Sequence, residues 1–116
     1  MKEEIVNKRM SELLLNDDFN LSIGYLCKLH KNLFKNVYVD CGIIRSYNVR
    51  KREMSLNGET IDYADNHGII TLLNMIFDRE KVINYKSLNE EEIVEKIANF
   101  CAKIWLVHPF NEVIQD

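Results

Sequence analysis

The sequence predicts a mainly helical domain with one β-hairpin, and two observations support this fold class. Apolar residues recur at three- and four-residue intervals in four segments of the 116-residue chain, which is typical of amphipathic helices. An Asn57-Gly58 pair lies between short alternating segments, which is a strong local signal for a hairpin. The chain has one proline, no repeat and no low-complexity stretch, so we expect residues 1–116 to form a single domain.

Two helices are predicted in the first third of the chain. The first covers Lys2 to Leu15 and ends at Asn16-Asp17-Asp18; its apolar residues lie on one side, at Ile5, Val6, Met10, Leu13 and Leu14. The second runs from Leu21 to Phe34 with Asn20 as its N-cap. Its buried side is predicted to contain Ser22, Tyr25, Leu26, Leu29 and Leu33.

The helical period fails after Val37, and we expect an ordered loop around Gly42 as far as Arg52. A hairpin is then predicted over Glu53–Tyr63, with Asn57-Gly58 as a two-residue type I′ turn. A two-stranded hairpin is barely stable alone in water, so this one must pack on the helices. It must also leave at least one strand edge unpaired.

Two more helices are predicted in the second half of the chain. The third begins at Ala64 or Asp65 and ends at Asp78, and its apolar residues are Ile69, Ile70, Leu72, Leu73, Ile76 and Phe77. The fourth opens with Ser87-Leu88-Asn89-Glu90, the Ser-x-x-Glu form of a capping box. Its wide apolar side contains Ile93, Val94, Ile97, Ala98, Cys101, Ile104 and Trp105. It ends at His108-Pro109, because the residue before a proline is pushed out of helical geometry.

The composition argues against several classes of protein. With 15 Lys and Arg against 18 Asp and Glu, the formal net charge is −3, so binding of nucleic acid through phosphate charge is not expected. No segment approaches the roughly 18 apolar residues of a membrane span, and the first residues lack the apolar core of a signal peptide. The three cysteines leave one thiol unpaired in any pairing, which fits a reducing compartment. We therefore predict a cytoplasmic protein that binds neither nucleic acid nor membrane.

Two groups of polar residues allow more than one interpretation. Cys27 and His30 have the spacing of half a zinc site, but no second pair of ligands follows at a suitable interval. We instead predict that Cys27 packs inside and that His30 lies near a helix surface. Considered by themselves, Arg45 and the run Arg50-Lys51-Arg52 form either a solvated basic surface or a nucleic-acid contact.

The segment Phe100–Glu112 resembles the approach to the active-site motif of the Fic (Fido-fold) family, which is His-Pro-Phe-x-Asp/Glu-Gly-Asn-x-Arg. The resemblance covers about Leu21 to Glu112. It includes further matches upstream, at Leu29–Phe34, Val37-Tyr38, Gly42 with Arg45, and Asn57-Gly58. In this order and spacing, before a helix that leads into His-Pro-Phe, the matches are fairly specific.

The resemblance implies a Fic/Fido-like helical domain that transfers AMP from Mg-ATP to a hydroxyl side chain of a target protein. His108 takes the position of the general base, which suits an imidazole with a pKa close to neutrality. Glu112 takes the position of the acid that holds the metal, and Pro109 and Phe110 are structural residues of the motif, with Phe110 turned inward. The hairpin corresponds to the family's flap, which aligns the target as an added strand. The flap residues are Met54, Ser55, Leu56, Asn57, Gly58, Glu59, Thr60, Ile61, Asp62 and Tyr63.

The sequence departs from the family directly after Glu112. Val113, Ile114, Gln115 and Asp116 stand where the family has Gly, Asn, a variable residue and Arg. In the family, the glycine and the following N–H groups cradle phosphate at a helix N-terminus, and the arginine binds phosphate through a fork of donors. We therefore expect this chain to be inactive and to bind neither ATP nor Mg. The alternative is a non-catalytic helical module that binds proteins.

The departure also leads to expectations about the origin and stability of the chain. We expect a domain truncated within its motif, so that apolar helix faces lack a partner and the chain self-associates. A one-base deletion explains the new residues, because GAA GGT AAT ACA AGA, for Glu-Gly-Asn-Thr-Arg, becomes GAA GTA ATA CAA GA. The shifted frame encodes Glu-Val-Ile-Gln and then Asp if a pyrimidine follows, which matches Glu112 to Asp116. Sequencing the gene tests this hypothesis.

Overall fold

A computed structural model of the chain describes residues 2–14, 20–53 and 59–115. In chain order the elements are α1 (Lys2–Leu14), α2 (Ile23–Phe34), β1 (Arg50–Glu53), β2 (Glu59–Asp62), α3 (Ile69–Lys81) and α4 (Glu90–Val107). Short 3-10 turns precede α3 at Asn66–Gly68 and α4 at Tyr85–Ser87. The described part of the chain is mainly helical, as predicted. No helix within it is both long enough and apolar enough to cross a membrane.

The chain divides into two compact units. The first, which we call the terminal unit, consists of Met1–Ile44 together with Phe110–Asp116, and the second, the central unit, consists of Arg45–Pro109. The terminal unit contains α1 and α2, and the central unit contains the two strands with α3 and α4.

In the terminal unit, α2 is capped at both ends by specific side chains. The Ser22 hydroxyl oxygen accepts a hydrogen bond from the Tyr25 backbone N–H at 3.1 Å, so Ser22 is the N-cap. The predicted cap, Asn20, is wrong, because its side-chain oxygen instead accepts a hydrogen bond from the Ser22 hydroxyl. At the other end, the Arg9 guanidinium from α1 donates to the carbonyl oxygens of Leu33 and Lys35, where a cation favours the helix dipole. The predicted end of the first helix at residues 15–18 lies outside the described residues.

In the central unit, α3 packs against α4. Ile69, Leu73 and Phe77 of α3 are buried, and the Phe77 ring lies 6.0 Å from that of Phe100 on α4. The Asp65 carboxylate accepts from the His67 N–H and caps the turn that leads into α3. That helix therefore begins at Ile69, later than predicted.

The start of α4 differs from the predicted capping box. The Asn89 side chain accepts from the Glu92 N–H at 2.9 Å, and the Glu92 carboxylate accepts from the Asn89 N–H at 3.1 Å. The capping box predicted for Ser87 and Glu90 is therefore wrong by two residues. The Ser87 hydroxyl instead donates to the Asn84 carbonyl within the preceding turn. Two overlapping capping patterns are present in the sequence, and the turn selects the second.

The two strands of the central unit pair antiparallel, with Arg50 opposite Asp62 and Glu53 opposite Glu59. Strand β1 also starts within the segment that was predicted to be a loop. The predicted turn itself, in residues 54–58, lies outside the described residues.

Candidate functional site

His108 stands at the C-terminal end of α4 in a left-handed backbone conformation. Its φ and ψ are 50° and 66°, and its N–H donates to the Ile104 carbonyl at 3.0 Å. A residue other than glycine adopts this conformation at a cost of about 1 to 2 kcal/mol, so surrounding contacts must hold it. Pro109, which follows, cannot extend the helix. The local sequence therefore ends α4 at Val107, with His108 as its C-cap.

The His108 ring is buried against an aromatic residue that follows β2. It stacks on Tyr63 with a centroid distance of 4.3 Å and an interplanar angle of 18°. Tyr63 is itself buried and meets the edge of Trp105 on α4 at 5.5 Å. Tyr63, which the sequence assigned to the target-docking flap, thus has its side chain in the packing around His108. This role was missed because Tyr63 and His108 are far apart in the sequence.

Arg45 holds the backbone around His108. Its guanidinium donates to the carbonyl oxygens of His108 at 2.6 Å, Val107 at 2.9 Å, Ala64 at 2.5 Å and Tyr47 at 2.7 Å. Only 4% of the residue is exposed, so of the interpretations left open by the sequence, a solvated basic surface does not apply to Arg45. Burial lowers the pKa of the Arg45 guanidinium, while Tyr47 and Asp65 oppose this shift. Four carbonyl acceptors replace the water that a solvated arginine would bind.

In the terminal unit, Phe110 belongs to an aromatic cluster that is centred on His30. Its ring stacks on His30 with a centroid distance of 3.9 Å and an angle of 18°. His30 also lies 4.8 Å from the Phe34 ring and 6.2 Å from the Tyr38 ring. Phe110 is buried, and its backbone forms a β-bridge with Ile44. The second half of the His-Pro-Phe motif is therefore anchored on α2.

His30 is buried and 9% exposed, so its predicted surface position is wrong, whereas Cys27, predicted to be inside, is only half-buried. The His30 Nδ1 atom accepts a hydrogen bond from the Gly42 N–H at 2.9 Å, which places the ring proton on Nε2. Burial lowers the His30 pKa to about 4, and the negative charge of Glu112 opposes this shift. His30 is therefore neutral at pH 7.

The residues after Glu112 form an extended segment that pairs with residues 37–39. The Val39 N–H donates to the Val113 carbonyl, and the Gln115 N–H donates to the Val37 carbonyl, both at 2.8 Å. Tyr38 and Ile114 form the antiparallel bridge between these bonds. We call this pairing the terminal ladder. The Val113 N–H also has an acceptor, the Asn111 side-chain oxygen at 2.7 Å.

A groove of about 470 Å³ lies beside the terminal ladder and has both apolar and polar lining residues: Glu3, Val6, Asn7, Phe34, Val37, Tyr38 and Ile114. Its described lining includes a carboxylate and no Lys or Arg, so this groove does not suit a phosphate group. Across the described ranges, no three His, Cys, Asp or Glu residues could hold a metal ion together.

A comparison with protein-family models matches residues 20–112 to the Fic/DOC family, and this is about four-fifths of the chain. The chain belongs to the Fic/DOC family. No curated protein and no solved structure matches it. The matched range of this Fic-family chain contains His108, Pro109, Phe110 and Glu112, and it ends directly before Val113, where the terminal ladder begins.

The structure places the motif residues of this Fic-family chain in two groups. His108 and Pro109 belong to the central unit, and Phe110 and Glu112 belong to the terminal unit. Neither the contact of Arg45 with the His108 carbonyl nor the stacking of His30 on Phe110 was predicted from the sequence. Gly42 and Arg45 were both among the sequence matches to the family, and this could have indicated that they support residues of the motif.

Proposed function

We propose that this chain is a Fic-family domain that retains the position of the catalytic base but does not transfer AMP. AMP transfer from Mg-ATP requires a base for the attacking hydroxyl, a metal ligand, and stabilisation of the charge on the phosphates. His108 and Glu112 stand at the family's positions for the first two functions. The third function is the one that this chain lacks.

The terminal ladder is the observation that carries this proposal. A phosphate cradle needs N–H groups that point at the ligand from the start of a helix. Here the N–H groups of Val113 and Gln115 donate to Asn111 and Val37, so neither is directed at a ligand. The backbone is extended rather than helical, and Asp116 stands where the family's arginine would be. The residues present therefore do not fit ATP phosphates.

The expected loss of activity is large. Removing a single donor of this kind commonly lowers the rate about 100- to 1,000-fold, and this chain lacks several. A carboxylate in place of the arginine adds repulsion toward the phosphates. We therefore expect no measurable AMP transfer by the chain, with or without Mg.

Transfer of labelled AMP from Mg-ATP tests this proposal. The unchanged chain should give no product above the background without protein. A variant with Val113→Gly, Ile114→Asn, Gln115→Thr and Asp116→Arg, followed by a helix of the family type, should gain nucleotide binding and transfer. Adding His108→Ala to that variant should abolish transfer and leave nucleotide binding intact. Efficient transfer by the unchanged chain would refute the proposal.

We further propose that the strand pair of the central unit docks an extended segment of a target protein. In the described part of the chain, β1 and β2 pair only with each other, so the outer edge of each strand has no partner strand there. An extended peptide can add to such an edge through main-chain hydrogen bonds. Docking of this type does not require the phosphate cradle, so it is compatible with the loss of AMP transfer.

Proline substitutions at adjacent positions of β2 provide a matched test of docking. Successive N–H groups along a strand point to opposite edges, so Thr60→Pro and Ile61→Pro affect different edges. The probe is an array of ten-residue extended peptides that contain Ser, Thr or Tyr. We expect one variant to lose peptide binding with unchanged helix content, and the other to disrupt the pairing with β1. If both variants bind the peptides as well as the unchanged chain does, docking at the outer edge of β2 is excluded.

A further inference from the structure

We propose that Arg45 is the positioning residue for His108, and that it keeps the base-position residue preformed in the absence of a phosphate cradle. Arg45 does not act on a substrate in this proposal. It acts through the backbone carbonyls that surround His108. The inference rests on the assignment of His108 under the proposed function, but its test measures the geometry of His108 and does not require AMP transfer.

The contacts of Arg45 join three segments of the central unit. The Nε–H donates to the His108 carbonyl, and the Nη2 group donates to the carbonyls of Val107 and Ala64. The Nη1 group donates to the Tyr47 carbonyl. Ala64 follows Tyr63, which is the stacking partner of the His108 ring. One guanidinium therefore fixes both the end of α4 and the residue beside the aromatic ring that covers His108.

The left-handed conformation of His108 needs this support. The last carbonyls of a helix have no partner within the helix. Here the Arg45 guanidinium donates hydrogen bonds to the carbonyls of Val107 and His108. A second contact joins the same segments, because the Ala64 N–H donates to the Leu106 carbonyl at 3.4 Å. The hydrogen bonds from Arg45 are shorter than this one and come from a charged donor, so they are the stronger restraint.

Lysine cannot reproduce this arrangement. A guanidinium is a planar group with five donors in a fixed fork, whereas an ammonium is a single point with three donors. Arg45→Lys therefore keeps the charge and much of the volume but cannot reach carbonyls on three segments together. Arg79 on α3 is exposed and gives a matched control, because Arg79→Lys makes the same chemical change elsewhere in the same unit.

The test is the proton NMR spectrum of the three histidine rings. His30→Gln and His67→Gln variants identify the His108 signals by elimination. Stacking on Tyr63 should shift the His108 ring protons upfield in the unchanged chain. Arg45→Lys should abolish this upfield shift at temperatures where the Phe77 and Phe100 ring signals show that α3 and α4 remain packed. Arg79→Lys should leave the shift unchanged.

The same spectra separate positioning from a general effect on stability. If Arg45 only stabilises the fold, the folded Arg45→Lys protein will keep the upfield shift of the His108 ring protons until its helices unfold. That result would overturn the proposal. The His30 ring, which stacks on Phe110, is an internal reference that should not change.

A measurement on the unchanged chain decides the proposal if Arg45→Lys does not fold. Four carbonyl acceptors should stop rotation of the Arg45 guanidinium, so its Nη groups should give separate signals and its Nε–H should exchange slowly. A scalar coupling across the hydrogen bond should join Arg45 Nε to the His108 carbonyl carbon. Averaged Nη signals and the absence of this coupling would show that Arg45 does not hold His108.

Discussion

Gly42→Ala should destabilise the chain strongly, because Gly42 combines a left-handed backbone with close packing on α2. Its φ is +79°, and a side chain there costs about 1 to 2 kcal/mol. An added Cβ would lie 2.7 Å from the Lys31 Cβ and 2.9 Å from the Cys27 carbonyl oxygen. Overpacking of this kind costs about 1 to 3 kcal/mol, so we expect a total loss of about 2 to 5 kcal/mol in the free energy of unfolding.

The Gly42→Ala substitution should also disturb the aromatic cluster around His30. Any shift of Gly42 away from α2 lengthens the hydrogen bond from its N–H to the His30 Nδ1 atom. His30 stacks on Phe110, so the anchor of the motif's second half should loosen as well. Gly42→Ala should therefore change the His30 ring signals in the folded protein in addition to lowering its stability.

Urea unfolding followed by circular dichroism measures the effect, and Gly24→Ala is the matched control. Gly24 lies exposed within α2, and nothing is within 4 Å of an added Cβ. Because alanine favours a helix over glycine, this variant should gain about 0.5 kcal/mol. If Gly42→Ala unfolds at the same urea concentration as Gly24→Ala, the packing argument is wrong.

Three more predictions follow from individual side chains. The free energy of unfolding should fall by about 3 kcal/mol between pH 6.5 and pH 4, because His30 takes up a proton in the unfolded chain while the buried ring has a pKa of about 4. The His30→Gln variant should lack this part of the pH dependence, and the same pH dependence in both proteins would contradict the prediction. Asn89→Ala should cost about 1 kcal/mol in thermal or urea unfolding and Ser87→Ala clearly less, because Asn89 is the cap of α4; the reverse order would restore the box predicted from sequence. In an absorbance titration, Tyr85 should ionise at a pKa of about 12, because its hydroxyl donates to Glu80, and Glu80→Gln should lower that pKa; no change would exclude this hydrogen bond.

Helical periodicity predicted the order and approximate extent of the four helices but not their caps. Asn20 and Ser22 compete at the start of α2, and Ser87 and Asn89 compete at the start of α4. Both members of each pair are suitable caps, so residue type alone cannot choose between them. The choice depends on the turn that precedes each helix.

Apolar periodicity also predicted more burial than the structure shows. On α3, Ile69, Leu73 and Phe77 are buried as expected. The apolar side of α4 is largely exposed, with Val94 67% exposed and Trp105 and Ile97 close to half exposed. A helical period identifies an apolar face, but it does not show whether another element covers that face.

The family motif could be recognised from sequence, whereas the residues that support it could not be placed. Arg45 and the His108 carbonyl are 63 positions apart, and His30 is 80 positions from Phe110. No local pattern indicates such pairs. An arginine close to Arg50-Lys51-Arg52 is normally solvated, and a histidine on a helix is normally exposed, so both burials required the structure.

The backbone amide NMR spectrum during titration with Mg-ATP tests most directly the claim that the terminal ladder replaces the phosphate cradle. The Val113 N–H donates to Asn111 and the Gln115 N–H donates to Val37, so their signals should not move with added Mg-ATP. The Val39 and Gln115 amides should also remain protected from exchange with solvent throughout. Saturable shifts of the Val113 and Gln115 signals, with loss of that protection, would show that these N–H groups bind phosphate and would contradict the account.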